Sequence, residues 1–426
     1  MLDRLPRVIV TFALTAVFAV ASWAQEAPQK NWKDRAEYDI FEASTKATTP
    51  AERLKLLDSW KQKYPNTDFR FERQQLYLTT YQQLNNPAKM IEVSEEMLAE
   101  NPKAIQALYW LTVLTINPNA TSASELARGE RAAKGLLENL DTLKPANTSA
   151  EAWEKEKKGV AGIAYKALGW IEMTRKDNEG AEKQLLKALE INPSDAQVSL
   201  WLGNVILAQK KPEKQAKALY HFARAAHFEG QGALDANTKK QMAAYLEKVY
   251  AQYHGDSSGL DDVIRLAKTN PFPPADFKIE NAFEVAERKE RELRESNPML
   301  ALWMGVKKEL SGPNGESYFA STVKGAGLPG GVHNVTQFRG KVISQSPANR
   351  PKEVVVGISD ATTPEITLKF ENPLPTAAEP GTEIAFEGVA TAFNADPFML
   401  TMEVEREKLE GWPAPAPAKK TGGKKK

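Results

Sequence analysis

Histidine and cysteine, the residue types that most often bind metals or act as nucleophiles, offer little chemistry in this sequence. There is no cysteine, which excludes disulfides, thiolate metal sites and cysteine nucleophiles. The four histidines are His221, His227, His254 and His333. The first two lie six residues apart, which places them on different faces of a helix, and no pair has a metal-binding spacing. The sequence therefore predicts neither a metal site nor a histidine-based catalytic site.

Two other motifs resemble chemical signatures only by their letters. Gly325, Gly327 and Gly330 match a glycine-rich phosphate-binding pattern. Such a loop needs a strand before it and a helix after it, whereas Pro329 interrupts this one and a strand-like run follows. The pair Asp261–Asp262 begins a helical run, where carboxylates favour the helix dipole. We therefore expect no cofactor and no catalytic residue, and an enzyme whose acids are brought together only by the fold stays as an alternative.

The composition is typical of a soluble globular protein. The 426 residues suggest two or three domains, and 42% hydrophobic with 26% charged residues supports a sizeable core. The 56 basic and 55 acidic residues give a net charge of +1. This balance excludes a generally basic nucleic-acid coat and an acidic disordered chain.

The N-terminus predicts a secretory signal peptide over residues 1–24. Arg4 and Arg7 precede the mostly apolar run Val8–Ala21, and Ser22–Ala24 offers small residues for cleavage before Gln25. An uncleaved anchor is the alternative, but a membrane span needs roughly 20 apolar residues and this run is shorter. We expect an exported protein, periplasmic or extracellular, with no integral membrane span, whose fold is held by packing without disulfides.

The first two-thirds of the chain repeats a helical pattern. The runs Ala51–Tyr64, Ala88–Asn101 and Gly180–Asn192 each end in Tyr-Pro or Asn-Pro, where proline stops one helix before the next begins. The clearest unit is Gly162–Asp195, and Gly169 lies 34 residues before Gly203 of the next unit. One helical hairpin cannot bury its own apolar face, so neighbouring hairpins must stack.

This unit resembles the tetratricopeptide repeat. The residues that carry the resemblance are Tyr165, Leu168, Gly169, Ala181, Leu185, Ala188 and Pro193. Glu172 departs from it, because the family usually has an aromatic residue there. The resemblance implies an α-solenoid of roughly five to six helix pairs between Asp34 and Thr269. An ordinary helical bundle with chance periodicity is the alternative.

The resemblance also implies a partner-binding groove lined by the first helix of each pair. The groove positions fall on Ile163, Lys166, Trp170, Met173, Gln197, Leu200, Asn204 and Leu207. Tryptophan is a common anchor of protein interfaces. The alternative for Trp170 and Met173 is that they merely pack against the next hairpin. The paired lysines and asparagines with which some family members clamp a C-terminal carboxylate are not reproduced.

The last third changes to a β pattern. A proline-rich boundary at 270–275 is followed by a helical run at 277–309 and a glycine-rich connector at 311–331. Five strands are then predicted, and they are Phe338–Ser344, Glu353–Ile358, Glu365–Phe370, Glu383–Phe393 and Met399–Val404. Five strands in about 80 residues suit a small closed barrel, and the run after Pro380 resembles a strand of the OB-fold. Residues 332–412 hold seven basic and twelve acidic residues, so we expect no nucleic-acid partner.

The chain ends in a tail, residues 413–426, that alternates Pro with Ala and then carries five Lys. Its composition predicts disorder. It could make weak contact with an anionic surface, or it could simply be solvated.

These observations predict a mainly α protein with five segments, which are the signal peptide at 1–24, a repeat domain at 25–295, a helix and connector at 296–331, a small OB-like β domain at 332–412 and the tail. The predicted function is a non-catalytic scaffold of the cell envelope that binds a partner protein or peptide in the groove. A glycan- or cell-wall-binding module that uses the β domain and the tail is the alternative. The sequence leaves the oligomeric state open.

Overall fold

The computed structural model describes residues 30–142, 144 and 148–415. The predicted signal peptide and the lysines of the tail lie outside these residues. The chain divides into two units, and the first ends at Ile279 while the second begins at Glu280. No helix among the described residues is long and apolar enough to cross a membrane.

The first unit is a series of helical hairpins. Within the described residues five hairpins form, and they are α1 (Arg35–Lys46) with α2 (Pro50–Lys63), α3 (Arg70–Gln83) with α4 (Pro87–Glu100), α5 (Ile105–Thr115) with α6 (Ala123–Asn139), α7 (Ala150–Thr174) with α8 (Asn178–Ile191), and α9 (Ala196–Ala208) with α10 (Gln215–His227). Two more helices, α11 (Ala236–His254) and α12 (Leu260–Thr269), both pack on α10. The predicted helical-repeat architecture is confirmed.

Local sequence signals set where these helices begin and end. Thr49 and Asn86 accept hydrogen bonds from the first turns of α2 and α4, and a proline follows each of them. The side chains of Asp177 and Asp195 likewise accept hydrogen bonds from the first turns of α8 and α9. Pro193 follows the end of α8, as the Asn-Pro pattern predicts.

Glycine allows close helix packing in two neighbouring hairpins. A Cβ atom at Gly169 of α7 would lie 2.6 Å from Leu185 of α8, and one at Gly203 of α9 would lie 2.5 Å from the Phe222 ring of α10. Real Cβ atoms do not approach other atoms so closely. The repeated glycine is therefore a packing requirement of the hairpin.

Three apolar clusters follow one another along the first unit. The first lies among α2–α5 around Leu57, Trp60 and Met97. The second lies among α5–α7 around Leu136 and Ile171, and the third joins α8–α12. Neighbouring clusters share border residues, so the core is continuous but segmented.

Two side chains of α10 fix the end of α12 and the segment after it. The Tyr220 hydroxyl lies 3.0 Å from the Phe272 carbonyl oxygen and 3.1 Å from that of Asn270. The Arg224 guanidinium donates to the carbonyl oxygens of Ala267 and Asn270. These carbonyls carry the negative end of the helix dipole, so a buried cation is favoured there.

The second unit combines helices with one sheet. Its helices are α13 (Ala282–Ser296), α14 (Pro298–Leu310) and the short α15 (Gly315–Tyr318). Its strands are β1 (Gly327–Leu328), β2 (Phe338–Ser346), β3 (Glu353–Gly357), β4 (Ile366–Lys369), β5 (Glu383–Phe386), β6 (Gly388–Ala395), β7 (Phe398–Glu403) and β8 (Leu409–Glu410).

The sheet curls because β5 and β6, which lie near opposite ends of the strand order, are nearly continuous in the chain. The strand order is β1-β6-β7-β4-β3-β2-β5-β8, and all pairs are antiparallel except β4 with β7. Only Glu387 separates β5, which pairs with β2, from β6, which pairs with β7. The predicted strand Glu383–Phe393 is thus two strands, and two short edge strands bring the described total to eight rather than five.

The domain boundary and the connector predicted from the sequence are corrected by the helices of the second unit. The sequence places the boundary after residue 295, but α13 packs on α14 and belongs with it. Trp303 of α14 is fully buried in the sheet core against Phe338, with ring centroids 5.6 Å apart. The segment 311–331 is also more than a connector, since it contains α15 and β1.

An ion pair adds a polar link between α14 and the sheet. Lys307 lies 2.6 Å from the carboxylate of Glu365, which is fully buried. The Glu365 carboxylate also accepts hydrogen bonds from the backbone N–H groups of Ile358 and Ser359. Burial acts to raise the pKa of Glu365, but these hydrogen bonds and Lys307 outweigh it and hold the pKa below its usual value.

Candidate functional site

The eight predicted groove residues lie on α7 and α9, the first helices of two successive hairpins. Ile163, Lys166, Trp170 and Met173 follow a spacing of three, four and three residues, which places them along one face of α7. The α9 residues follow the same spacing, and they are Gln197, Leu200, Asn204 and Leu207. All except Leu200 are partly exposed. We call these eight residues the α7–α9 face.

Lys166 is held in place by the next hairpin. Its ammonium lies 2.6 Å from the carboxylate of Asp195, the residue that caps α9, and the two side chains are 13% and 11% exposed. The ammonium also lies 5.4 Å from the centre of the Trp201 ring. At such low exposure the pair is stronger than a surface salt bridge, and it neutralises the only charge of the α7–α9 face.

Trp170 packs on the same Trp201 side chain. The two ring centroids are 5.3 Å apart with planes inclined by 42°, a favourable aromatic geometry. Met173 and Leu207 also pack against the apolar cluster of α8–α12. The structure thus supports the alternative that Trp170 and Met173 contact the next hairpin, while each keeps part of its surface accessible to a partner.

Leu200 differs from the expectation. It is only 6% exposed and belongs to the buried cluster of α8–α12. Leu200 is buried together with its α9 neighbours Val198 and Trp201, so it stabilises the core and offers little surface to a partner. The accessible part of the α7–α9 face is therefore smaller than predicted.

Sequence reasoning missed Asp195 and Trp201. Asp195 lies 29 residues after Lys166, and its position two residues after Pro193 signals only a helix cap. Trp201 is 9% exposed and sits outside the predicted groove positions. The opposite charges of Lys166 and Asp195 were the only sequence signal for their contact. A contact between successive hairpins leaves no local periodic pattern from which it could be predicted.

The second unit contains a shallow cavity of about 590 Å³. Its lining includes Arg339 and Lys341 of β2, Glu383 of β5, and Ser359 and Asp360 from the segment after β3. Both cations and both acids are exposed. Hydroxyl and charged groups of both signs around an open cavity could hydrogen-bond a polar ligand.

Two observations bear on chemistry in the described part of the chain. Among its residues no group of three or more His, Asp or Glu side chains is placed to hold a metal ion. One serine, Ser258, contacts both an imidazole and a carboxylate, with its hydroxyl 3.1 Å from His254 Nε2. The backbone N–H of Ser258 donates to Asp256 and its carbonyl accepts from Tyr250, so the cluster organises the turn between α11 and α12.

Comparisons with known proteins give only distant likenesses. No family model and no curated protein matches the chain. One similar solved structure is the assembly chaperone of RpL4 (Acl4), residues 1–338, at 12% identity and a TM-score of 0.37, covering 61% of this chain and 99% of that chain. Another is TTC0263, a thermophilic TPR protein of Thermus thermophilus, at 14% identity and a TM-score of 0.28, covering 50% and 96%. Similarity at this level supports no argument about function.

Proposed function

We propose that this chain is a protein-interaction scaffold and that the α7–α9 face binds a segment of a partner protein. The observation that carries the proposal is the partly exposed row of Ile163, Trp170, Met173 and Leu207 on two successive first helices. Aromatic and apolar side chains held on rigid helices are the usual anchors of protein interfaces. The proposal includes no catalytic step and no cofactor.

We further propose that the scaffold works in the cell envelope as a tetratricopeptide-type protein. The apolar run after Arg4 and Arg7 supports export, and the absence of cysteine fits a protein that needs no disulfides there. The repeated Leu-Gly pair, whose glycine packs on Leu185 in one hairpin and on Phe222 in the next, supports the tetratricopeptide assignment.

The test is crosslinked capture from an envelope extract with the chain of residues 25–426. Leu207→Lys places a charge on the α7–α9 face, and we expect it to reduce capture of the partner at least about tenfold. Leu186→Lys is the matched control, because Leu186 is a partly exposed leucine of α8 that packs against the same apolar cluster. Equal loss in both variants would contradict binding at this face.

A second candidate function rests on the cavity of the second unit. Its exposed Arg339 and Lys341 beside Asp360 and Glu383 could hydrogen-bond the hydroxyl groups of a glycan. Calorimetric titration with soluble cell-wall fragments would test it. Arg339→Ala should weaken binding, whereas Lys352→Ala, an exposed lysine outside the cavity lining, should not.

A further inference from the structure

Charge is divided unequally between the two kinds of helix in the middle of the first unit. The first helices α5 and α9 contain no charged residue. The second helices α4, α6 and α8 contain five, six and five. In the α5–α6 hairpin an uncharged first helix lies beside a second helix with six charged residues, so overall solubility does not explain the difference. The partner of α9, α10, is largely buried and contains only Lys217 and Arg224 as charged residues.

Between α5 and α9, the part of α7 from residue 160 onward continues the row, whereas residues 150–159 contain six charged residues. Helix α5 packs beside α7, and α7 contacts α9 through the Trp170 and Trp201 rings. Within residues 160–174 of α7 only Lys166 and Glu172 are charged. Lys166 is neutralised by Asp195 at 2.6 Å.

Glu172 does not contribute charge to the α7–α9 face, because it is directed toward α8. It hydrogen-bonds Gln184 of α8, and a Cβ atom at Gly180 would lie 2.8 Å from its Oε2 atom. Burial, followed by the nearby Asp177 carboxylate, raises the pKa of Glu172. Both effects favour its neutral form.

The accessible surface of α5 and α9 is correspondingly apolar or amide in character. No residue of α5 is fully exposed, and Ala208 is the exposed residue of α9. The partly exposed residues of the two helices are Ile105, Gln106, Trp110, Val113, Leu114, Gln197, Asn204 and Leu207. A charged side chain that docked against these groups would lose water without gaining an opposite charge, which disfavours its binding.

The partly exposed residues of α5, of α9 and of α7 from residue 160 onward together form what we call the α5–α7–α9 surface. We infer that this surface selects an uncharged, apolar peptide segment of its partner. The inference rests on the proposed scaffold function and specifies the chemistry of its partner. An uncharged surface complements an uncharged segment, because two such surfaces can exclude water from each other without an unpaired charge. An acidic segment, a basic segment or a C-terminal carboxylate finds no unpaired counter-charge on the α7–α9 face.

A displayed random peptide library tests the inference with the chain of residues 25–426 as the target. With segments of about 16 residues, enriched peptides should have no net charge and should carry apolar residues at helical spacing. The affinity of a synthetic enriched peptide should change less than about twofold between about 50 mM and about 500 mM NaCl. Enriched peptides of one charge sign, or a steep salt dependence, would overturn the inference and leave the scaffold proposal standing.

Substitutions locate the binding surface and separate the two possible failures. Leu207→Lys and Asn204→Lys should each weaken the enriched peptide at least about tenfold, and Leu186→Lys should weaken it less than about twofold. Asn204 lies outside the apolar cluster, so its variant tests binding even if Leu207→Lys unfolds the hairpin. No enrichment of any peptide would contradict both the scaffold proposal and the inference. Enrichment that is insensitive to both α9 variants would overturn the location.

Discussion

One buried histidine, His221 of α10, contributes to the acid sensitivity of the first unit. Its side chain is 2% exposed, and its Nδ1 atom has no hydrogen-bond partner within the part of the chain that the structure describes. Burial, followed by the positive charges of Arg224 and Lys217, lowers the pKa of His221 from 6.5 to about 3. The folded state therefore favours the neutral form of His221.

The size of the effect follows from the difference between the folded and unfolded pKa values. Below about pH 6.5 the unfolded chain binds a proton at His221 more readily than the folded state does. The stability of the folded state is therefore unaffected by His221 above about pH 6.5 and falls as the pH is lowered from there toward about 3. Between about pH 7.5 and about pH 5, His221 alone should reduce the free energy of unfolding by about 2 kcal/mol.

His221→Phe removes the titrating group and keeps a ring beside Tyr220. The assay is urea unfolding followed by helical circular dichroism at several pH values. Relative to the wild type, the variant should lose about 2 kcal/mol less between about pH 7.5 and about pH 5. His333→Gln, which changes an exposed histidine of the second unit, is the control substitution. Identical pH dependence in the wild type and His221→Phe would refute the reasoning.

Two further predictions concern packing and the buried ion pair, each measured by urea unfolding. Gly203→Ala should cost about 1–3 kcal/mol because its Cβ would lie 2.5 Å from the Phe222 ring, whereas Gly159→Ala, with nothing within 4 Å, should stabilise by about 0.5–1 kcal/mol. Equal effects of the two alanines would contradict the packing argument. Lys307→Met should cost about 3 kcal/mol because it leaves the buried Glu365 carboxylate without its cation. Unchanged stability of the second unit would show that the backbone hydrogen bonds suffice.

The hairpins were predictable because their signals are local. A proline follows Tyr64, Asn101 and Asn192, and α2, α4 and α8 each end two residues before that proline. Gly169 and Gly203 each lie in the same hairpin as the side chain on which they pack, Leu185 and Phe222 respectively. A pattern that is complete within about 34 residues can be read from the sequence.

Two of the features that were missed depend on contacts between residues far apart in the sequence. The pairing of Lys166 with Asp195 joins two hairpins, and the burial of Leu200 depends on the cluster that α8–α12 build together. The boundary was placed late because α13 is helical like the repeats, and its contact with α14 leaves no mark in its own sequence. The break at Glu387 was hidden because both sides of it alternate as one strand would.

The segmented core of the first unit has a consequence for how the protein opens in solution. Neighbouring apolar clusters share border residues such as Trp110 and Tyr165, and each helix packs mainly on its neighbours along the chain, so opening at one end breaks few contacts at the other. Amide hydrogen exchange should therefore proceed in steps along the chain. The amides of α1 and α2 should exchange well before those of α9 and α10, which are covered on both sides.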